Sequence, residues 1–216
     1  MTNEETGVVL IGMGGHALVV AEALQATGRA IVGYCDHAPK SEYAGDIPYL
    51  GSEDSELART HLSQSAFLVT IGDNSLRHKI TQSLLVQQYQ LALPAVHPSA
   101  TISPSVSLGR GAQVQGGVVV NAGATIGESV ILNTGCIVEH ECSVERFVHI
   151  APGAVLAGSV SISEGAFVGA NATVIQGCKI DKEAIVGAGA VVICDIPPGR
   201  TAVGNPAKLL DESFYD

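Results

Sequence analysis

A repeat of six residues governs the second half of this 216-residue chain. From Val96 to Val192, every sixth residue is Val, Ile or Leu, seventeen times in succession without a shift. The residue four places after each of these is small or slim (Ala, Val or Cys), from Ala100 to Ala190. An α-helix has a period of about 3.6 residues and a strand a period of about 2, so neither stays in phase with six. A strict short period indicates a solenoid, in which each repeat buries its apolar face against neighbouring repeats.

Six residues suit one short strand and one turn, and three such sides close a triangular coil of about eighteen residues. The repeat therefore predicts a parallel β-helix whose interior is filled by the large aliphatics, with the small residues where the wall bends inward. Gly or Asn follows the aliphatic at several positions, where we expect a left-handed turn backbone. These positions are Gly109, Asn121, Gly127, Asn133, Gly169 and Gly187. Pro197-Pro198-Gly199 is expected to stop the register.

The first part of the chain alternates strand and helix patterns, which predicts a Rossmann-like parallel α/β sheet. Strands are expected over 7–11, 31–35 and 67–71, and helices over 16–26 and 75–89. The segment 37–56 is expected to be a loop with one short strand over 47–50. Pro94 and Pro98 bracket the first hexad, so we expect one domain over 1–94 and a second, with a short C-terminal tail, over 95–216.

Within the first domain, Gly12 to Ala17 has the pattern G-x-G-x-x-A between a predicted strand and a predicted helix. Glycine lets the backbone approach a phosphate closely, and the helix N-terminus supplies N–H groups. Asp36 ends the second strand, where a carboxylate often meets a ribose or a base. The alternative interpretation of the glycines is a tight structural turn. Because the unit is roughly half of a full dinucleotide domain, a mononucleotide or nucleotide sugar is favoured over NAD.

Composition excludes several classes of partner. The formal net charge of −10 provides no basic patch for the phosphates of a nucleic acid. No apolar run approaches eighteen residues and no export pattern is found, so neither a membrane nor secretion is indicated and a cytoplasmic location is expected. Three of the five cysteines occupy the small inward position of the repeat, which favours buried thiols over disulfides or a metal site.

Polar exceptions in the aliphatic repeat indicate where chemistry could occur. Glu139-His140-Glu141 lies outside both inward positions, and a neutral imidazole can accept a proton from an attacking amine or hydroxyl near pH 7. A carboxylate at the second ring nitrogen fixes the tautomer. Gly158 follows His140 by one coil, about 5 Å along the axis, so its N–H is a candidate donor to an oxyanion. No Ser or Cys nucleophile is evident, which favours direct acyl transfer.

The chain resembles the sialic-acid O-acetyltransferase family of hexapeptide acyltransferases. Within that family it is most similar to the N-acetyltransferases that act on UDP- or GDP-linked 4-amino-4,6-dideoxy sugars. The segments that carry the resemblance are 9–16, 70–74, 131–142 and 204–208. The resemblance extends over essentially the whole chain, and it implies a left-handed β-helix.

The same resemblance implies an acetyl-CoA-dependent enzyme that uses no metal and works as a homotrimer, with acetyl-CoA between adjacent β-helices. It implies that His140 is the general base for the C4 amine, that Glu141 supports it, and that the Gly158 N–H holds the thioester oxygen. Coenzyme contacts are implied for His149, Ala170 and Ala188. Nucleotide-sugar contacts are implied for Gly12, Met13, Gly14, Gly15, His16, Asp36, His37, Gly72 and Asn133. A UDP sugar of the bacillosamine pathway is the favoured acceptor.

Other functions share parts of this pattern. An N-acetyltransferase of the GDP-perosamine type, or an O-acetyltransferase acting on sialic acid or another hydroxyl, would use the same machinery. A zinc carbonic anhydrase on this fold needs three histidines around one metal, whereas the coils contain only His140 and His149. A non-catalytic scaffold or nucleotide sensor would leave Glu139-His140-Glu141 without a purpose.

Overall fold

The computed structural model describes residues 7–210, and the chain divides into two compact units between Pro98 and Ser99. This division lies four residues beyond the expected boundary after residue 94. Packing explains the difference, because Ala92 and Ala95 are buried in the apolar core of the first unit together with Val20. The expected C-terminal tail, from 211 onward, lies outside the described residues.

A three-stranded parallel sheet forms the centre of the first unit, as predicted. Its strands are β1 (Val8–Ile11), β2 (Ile31–Cys35) and β3 (Ala66–Val69), in the order β2-β1-β3. The other elements are α1 (Gly15–Ala26), α2 (Ser41–Ala44), α3 (Glu56–Leu62), α4 (Asn74–Val86) and β4 (Ala95–Val96). Alternate residues of β1 enter two apolar clusters, Leu10 with Leu24 and Ile11 with Leu84, because successive strand side chains point to opposite faces. Among the described helices, none combines the length and apolarity that crossing a bilayer requires.

The segment 37–56 and the residues after it contain more structure than the pattern predicts. The expected strand over 47–50 is a single bridge between Tyr34 and Tyr49. α3 is not predicted, although its N-cap has a clear signal in Ser55. The Ser55 hydroxyl accepts a hydrogen bond from the Ala58 N–H at 3.1 Å and donates one to the Leu50 carbonyl at 2.6 Å. A helix of only seven residues shows too few turns for its period to stand out.

The second unit is a parallel β-helix of about six coils, with three sheets forming its sides. Its strands are β5 (Thr101–Ile102), β6 (Ser107–Leu108), β7 (Gln113–Val114), β8 (Val119–Val120), β9 (Thr125–Ile126), β10 (Ile131–Leu132), β11 (Ile137–Val138), β12 (Ser143–Val144), β13 (His149–Ile150), β14 (Val155–Leu156), β15 (Ser161–Ile162), β16 (Phe167–Val168), β17 (Thr173–Val174), β18 (Lys179–Ile180), β19 (Ile185–Val186), β20 (Val191–Val192), β21 (Thr201–Val203) and β22 (Lys208–Leu209). Leu132 pairs with Val114 on one side and Ile150 on the other, which confirms the coil of eighteen residues.

The interior of the β-helix is filled as the repeat predicts. From Val114 to Val192, every large aliphatic of the hexad is buried, and so is every small residue from Ala112 to Ala190. Each large aliphatic side chain contributes about 1.5–3 kcal/mol when it is fully buried. The stack of coils therefore supplies the core that no single coil could provide.

The prediction of left-handed backbone directly after the aliphatic is wrong. The positive φ angles lie at the third residue after it, and they include residues other than glycine, such as Glu141 and Ser159, both at 59°. Gly109, Gly127 and Gly169 are required for a different reason. A Cβ added to any of them would lie 2.6 Å from a backbone atom of the next coil, so these glycines permit close stacking.

The last coil is shorter than the others. The spacing falls from eighteen residues at Val192, which pairs with Val174, to sixteen at Ile196, which pairs with Ile180. The expectation that Pro197 to Gly199 stop the register is wrong, because Thr201 still lies opposite Ile185 at sixteen residues. The stack nevertheless continues for one more parallel strand, β21, and β22 returns antiparallel to it. The residues between Val192 and Ile196 therefore shorten the final coil, and the proline segment does not end the sheet.

Candidate active site

A cleft of about 690 Å³ opens beside the carboxyl ends of β1, β2 and β3 in the first unit. Eight residues expected at a nucleotide-sugar site line it: Gly12, Met13, Gly14, Gly15, His16, Asp36, His37 and Gly72. The sequence reasoning missed other lining residues, among them Glu53, Thr70, Ile71 and Lys79. Ligands of open α/β sheets bind at this edge, outside the carboxyl ends of the strands.

The glycines of the loop between β1 and α1 have two different roles. Gly12 has a φ of +90°, and an added Cβ would lie 2.6 Å from Ile71 Cγ1, so a larger residue is excluded there. An added Cβ on Gly14 or Gly15 would meet no atom within 4 Å. Gly14 is also the N-cap of α1 and offers no side chain to the N–H groups of the first turn. An open helix N-terminus of this kind attracts anions.

Asp36 holds two loops of the cleft together. Its Oδ2 accepts a hydrogen bond from the Met13 N–H at 2.9 Å, and its Oδ1 accepts one from the His37 N–H at 2.7 Å. The carboxylate therefore fixes the glycine loop. This role adds to the contact with a ribose or base that the sequence suggests.

In the second unit, His140 and Glu141 lie at the corner between β11 and β12. His140 Nδ1 is 3.3 Å from Glu141 Oε2, and both side chains are exposed. Ser159, one coil further along, donates its hydroxyl to the same carboxylate oxygen at 3.3 Å. A carboxylate at Nδ1 favours the tautomer that keeps Nε2 available as a base.

Gly158 packs directly against the imidazole of His140. A Cβ at Gly158 would lie 2.6 Å from His140 Cε1 and 2.7 Å from Nε2, so only glycine leaves the ring in place. Within residues 7–210, the Gly158 N–H donates to no protein acceptor. An unpaired backbone donor beside a histidine base is an arrangement that can stabilise an oxyanion.

Glu139, the other carboxylate beside His140 in the sequence, is engaged elsewhere. It accepts a hydrogen bond from Asn121 Nδ2, one coil earlier, at 2.9 Å. Of the two flanking glutamates, Glu141 is therefore the one that contacts the imidazole.

The residues expected to contact the coenzyme lie on another part of the coil. His149 Nε2 is 3.3 Å from Asn133 Nδ2, and its ring meets that of Phe167 edge-on, with centroids 5.1 Å apart. Asn133 contacts His149 and also accepts a hydrogen bond at Oδ1 from the Thr134 N–H at 2.8 Å, and its place at the nucleotide-sugar site stays a prediction. Ala170 and Ala188 follow β16 and β19 at one corner, stacked one coil apart, and Ala188 is exposed.

The described residues offer no metal site, and their buried thiols are not activated. Within 7–210, no group of three His, Cys, Asp or Glu side chains is arranged to hold a metal ion. All five cysteines are free thiols, and only Cys194 is exposed. Burial raises the pKa of Cys136 to about 12. The pKa of Cys35 is also raised to about 12, mainly by burial and to a smaller extent by the negative charge of Glu53. Both thiols therefore stay protonated at neutral pH.

Comparison with known proteins finds relatives that extend over both units. Residues 7–84 match the family model described as the PglD N-terminal domain. The chain is 42% identical to a histidine-to-alanine variant of GDP-perosamine N-acetyltransferase from Caulobacter crescentus, solved with CoA and GDP-perosamine. That match covers 95% of this chain and 97% of the other, with a TM-score of 0.89.

Two further structures are similar over nearly their whole length. The acetyltransferase domain of PglB from Neisseria gonorrhoeae FA1090, in complex with acetyl coenzyme A, is 37% identical with a TM-score of 0.88. That match covers 95% of this chain and 100% of the other. WeeI from Acinetobacter baumannii AYE is 25% identical with a TM-score of 0.80, and the match covers 94% of this chain and 99% of the other.

Proposed function

We propose an acceptor and a catalytic base for this chain, which belongs to the family of acetyl-CoA-dependent sugar N-acetyltransferases with a left-handed β-helix. The acetyl donor is acetyl-CoA. The acceptor we propose is the C4 amine of a nucleotide-linked 4-amino-4,6-dideoxy sugar. Two observations support it: the glycine-lined cleft of the first unit, and the similarity to an enzyme solved with GDP-perosamine.

Two nucleotides are candidates for the carrier of the sugar. The sequence resemblance favours UDP, in a sugar of the bacillosamine type. GDP is supported by a specific observation, the 42% identity to a GDP-perosamine N-acetyltransferase. Separate calorimetric titrations with UDP and GDP decide between them, because only the matching base should give saturable binding at micromolar nucleotide.

In the mechanism we propose, His140 Nε2 accepts the proton of the C4 amine as the nitrogen attacks the thioester carbonyl. Glu141 holds the Nδ1–H of the ring and so stabilises the imidazolium that forms. The Gly158 N–H donates to the oxyanion of the tetrahedral intermediate. When the carbon–sulfur bond breaks, the imidazolium returns its proton to the sulfur. The products are the N-acetylated sugar and CoA thiol.

The contact between His140, Glu141 and Gly158 carries this proposal, and replacing His140 tests it. His140→Ala should lower kcat by roughly 10³-fold, the usual contribution of a general base. The melting temperature should not change, because the side chain is exposed. The rate of acetyl transfer is measured from the free CoA thiol that is released, with a 4-amino and a 4-hydroxy nucleotide sugar tested separately as acceptors.

His61→Ala is the matched control, since His61 lies in the last turn of α3 and does not line the cleft. The control should keep full activity. Unchanged turnover in His140→Ala would rule out the proposed base. If acetyl transfer to the 4-hydroxy sugar is faster than transfer to the 4-amino sugar, the proposed activity is O-acetylation and not N-acetylation.

A further inference from the structure

A buried arginine lies behind the wall of the cleft in the first unit. Arg77, near the start of α4, is fully buried. Burial lowers the pKa of Arg77 to about 9, against the opposing influence of Asp73, so the guanidinium is still charged at pH 7. A buried charge is unfavourable unless hydrogen-bonding partners surround it. The partners of Arg77 therefore show what its burial achieves.

The guanidinium binds the turn that leads from β3 into α4. Its Nη1 donates to the carbonyls of Ile71 and Gly72 at 3.0 and 3.1 Å, and its Nη2 donates to Asn74 Oδ1 at 2.7 Å. The C=O and N–H of a trans peptide point in opposite directions. These bonds therefore turn the N–H groups of Gly72 and Asp73 away from Arg77. One side chain fixes two consecutive peptide planes.

The same turn forms part of the cleft and supports the glycine loop. Ile71 and Gly72 line the cleft, and the Ile71 side chain packs on the Cα of Gly12. Thr70 Oγ1 donates to the Gly12 carbonyl at 2.6 Å. Movement of the turn would therefore move the loop on which the nucleotide sugar is proposed to bind.

We infer that Arg77 is a positioning residue for the nucleotide sugar: it holds Ile71 and Gly72, and through Ile71 the glycine loop, in the conformation that binds the ligand. This inference rests on the proposed function, because it takes the cleft to be the nucleotide-sugar site. Arg77 itself does not line the cleft, so its effect is transmitted through the turn. The geometry requires arginine, since only a planar fork of donors reaches both carbonyls and Asn74 together.

Arg77→Lys tests the inference, because lysine keeps the charge but provides a single donor group. The KM for the nucleotide sugar should rise roughly tenfold, the effect expected when hydrogen bonds to a charged group are lost. The kcat and the KM for acetyl-CoA should stay unchanged. Asn74→Ala, which removes one acceptor and keeps the arginine, should raise the same KM by a smaller factor, and it provides the test if Arg77→Lys does not fold.

Thr81→Val is the matched control. Thr81 lies one turn further along α4, is fully buried, and its hydroxyl has no hydrogen-bond partner within the described residues. This variant should leave both KM values unchanged, because the Thr81 hydroxyl makes no hydrogen bond to the turn of Ile71 and Gly72.

The outcomes separate the inference from the function on which it rests. A rise in the nucleotide-sugar KM alone supports the positioning role. Wild-type KM values in both Arg77→Lys and Asn74→Ala would overturn the positioning role. It would also be overturned if kcat fell, both KM values rose by the same factor and the melting temperature dropped, because such changes indicate a general loss of structure. If the wild-type enzyme binds neither UDP nor GDP in calorimetry, the proposed function fails before any variant is compared.

Discussion

At the residue scale, the position of His140, the candidate base, depends on the absence of a side chain at Gly158. His140 rests on the Cα of Gly158, and a Cβ there would lie 2.6 Å from the ring. The atom in the way belongs to an exposed side chain, which can rotate at little cost to the fold. Substitution at Gly158 should therefore affect catalysis more than stability.

Gly158→Ala should lower kcat on the order of a hundredfold, since misplacing a catalytic group by about 1 Å has an effect of this size. Combined with His140→Ala, the same change should have no further effect, and a double-mutant cycle in kcat measures this. Gly127→Ala is the contrasting variant, because its added Cβ would meet the backbone of Arg146. It should lower the melting temperature. Additive effects at Gly158 and His140 would contradict the contact.

Buried thiols make the stability of the folded chain vary with pH in the alkaline range. The pKa of Cys136 is raised from 9.0 to about 12 in the folded chain, so between these values the folded state binds more protons than the unfolded state. Stability contributed by the protonated thiol is complete below pH 9 and is lost as the pH rises toward 12.

Cys136→Ala should reduce the fall in unfolding free energy above pH 9, as measured by urea denaturation at several pH values. Alanine is already common at this position of the repeat, so the core should tolerate it. Cys194→Ala, at an exposed site, should keep the wild-type pH dependence. Identical slopes in the two variants would refute the assignment to Cys136.

At the element scale, charges alternate up one corner of the β-helix. Arg110, Glu128, Arg146, Glu164 and Lys182 follow one another at the coil length of eighteen residues. Glu164 Oε2 accepts from Arg146 Nε at 2.5 Å, and its Oε1 lies 3.6 Å from Lys182 Nζ. Because Glu164 contacts the opposite charge on both neighbouring coils, these two ion pairs support the correct register between coils.

Glu164→Gln should lower the unfolding free energy by about 1 kcal/mol, the upper end for ion pairs near the surface. This corresponds to a fall in melting temperature of about 2–4 °C for a chain of this size, and the fall should shrink at high salt. Glu183→Gln is the control, since Glu183 is largely exposed and 3.9 Å from Lys182. If both variants have the melting temperature of the wild type at low salt, the column of charges does not contribute to stability.

The same eighteen-residue spacing decides how much of the site the sequence could predict. The coil length places Gly158 beside His140, and it could equally have predicted the bonds from Asn121 to Glu139 and from Ser159 to Glu141. Arg77 could not be found in this way, because its partners depend on how a strand, a turn and a helix pack together. The left-handed position was misassigned because glycine occurs at two places in the repeat for two reasons, close stacking and positive φ.

At the scale of the whole molecule, the family resemblance predicts a homotrimer with acetyl-CoA between adjacent β-helices. Light scattering on the purified protein should give about three times the chain mass of 22.1 kDa, at concentrations where it is active. A fully active monomer would contradict both the oligomer and the position of the coenzyme.

Mixed trimers test whether His140 and His149 serve one site from two subunits. When His140→Ala and His149→Ala chains are co-expressed in equal amounts, about a quarter of the subunit interfaces in a cyclic trimer should contain both histidines. Activity should therefore return to a similar fraction of the wild-type value, whereas each variant alone stays impaired. No recovery would place both histidines of a site in one chain.

The uniform coil also sets the rules for how the gene can change length. An in-frame duplication of the eighteen codons 161–178 adds one more coil and returns every later side chain to its own side of the prism. Loss of a single codon in the same stretch displaces each later aliphatic by one position, out of the interior and into solvent. Insertions and deletions in this half of the gene should therefore survive in multiples of a whole coil, which lets the prism lengthen while the corner that carries His140 is preserved.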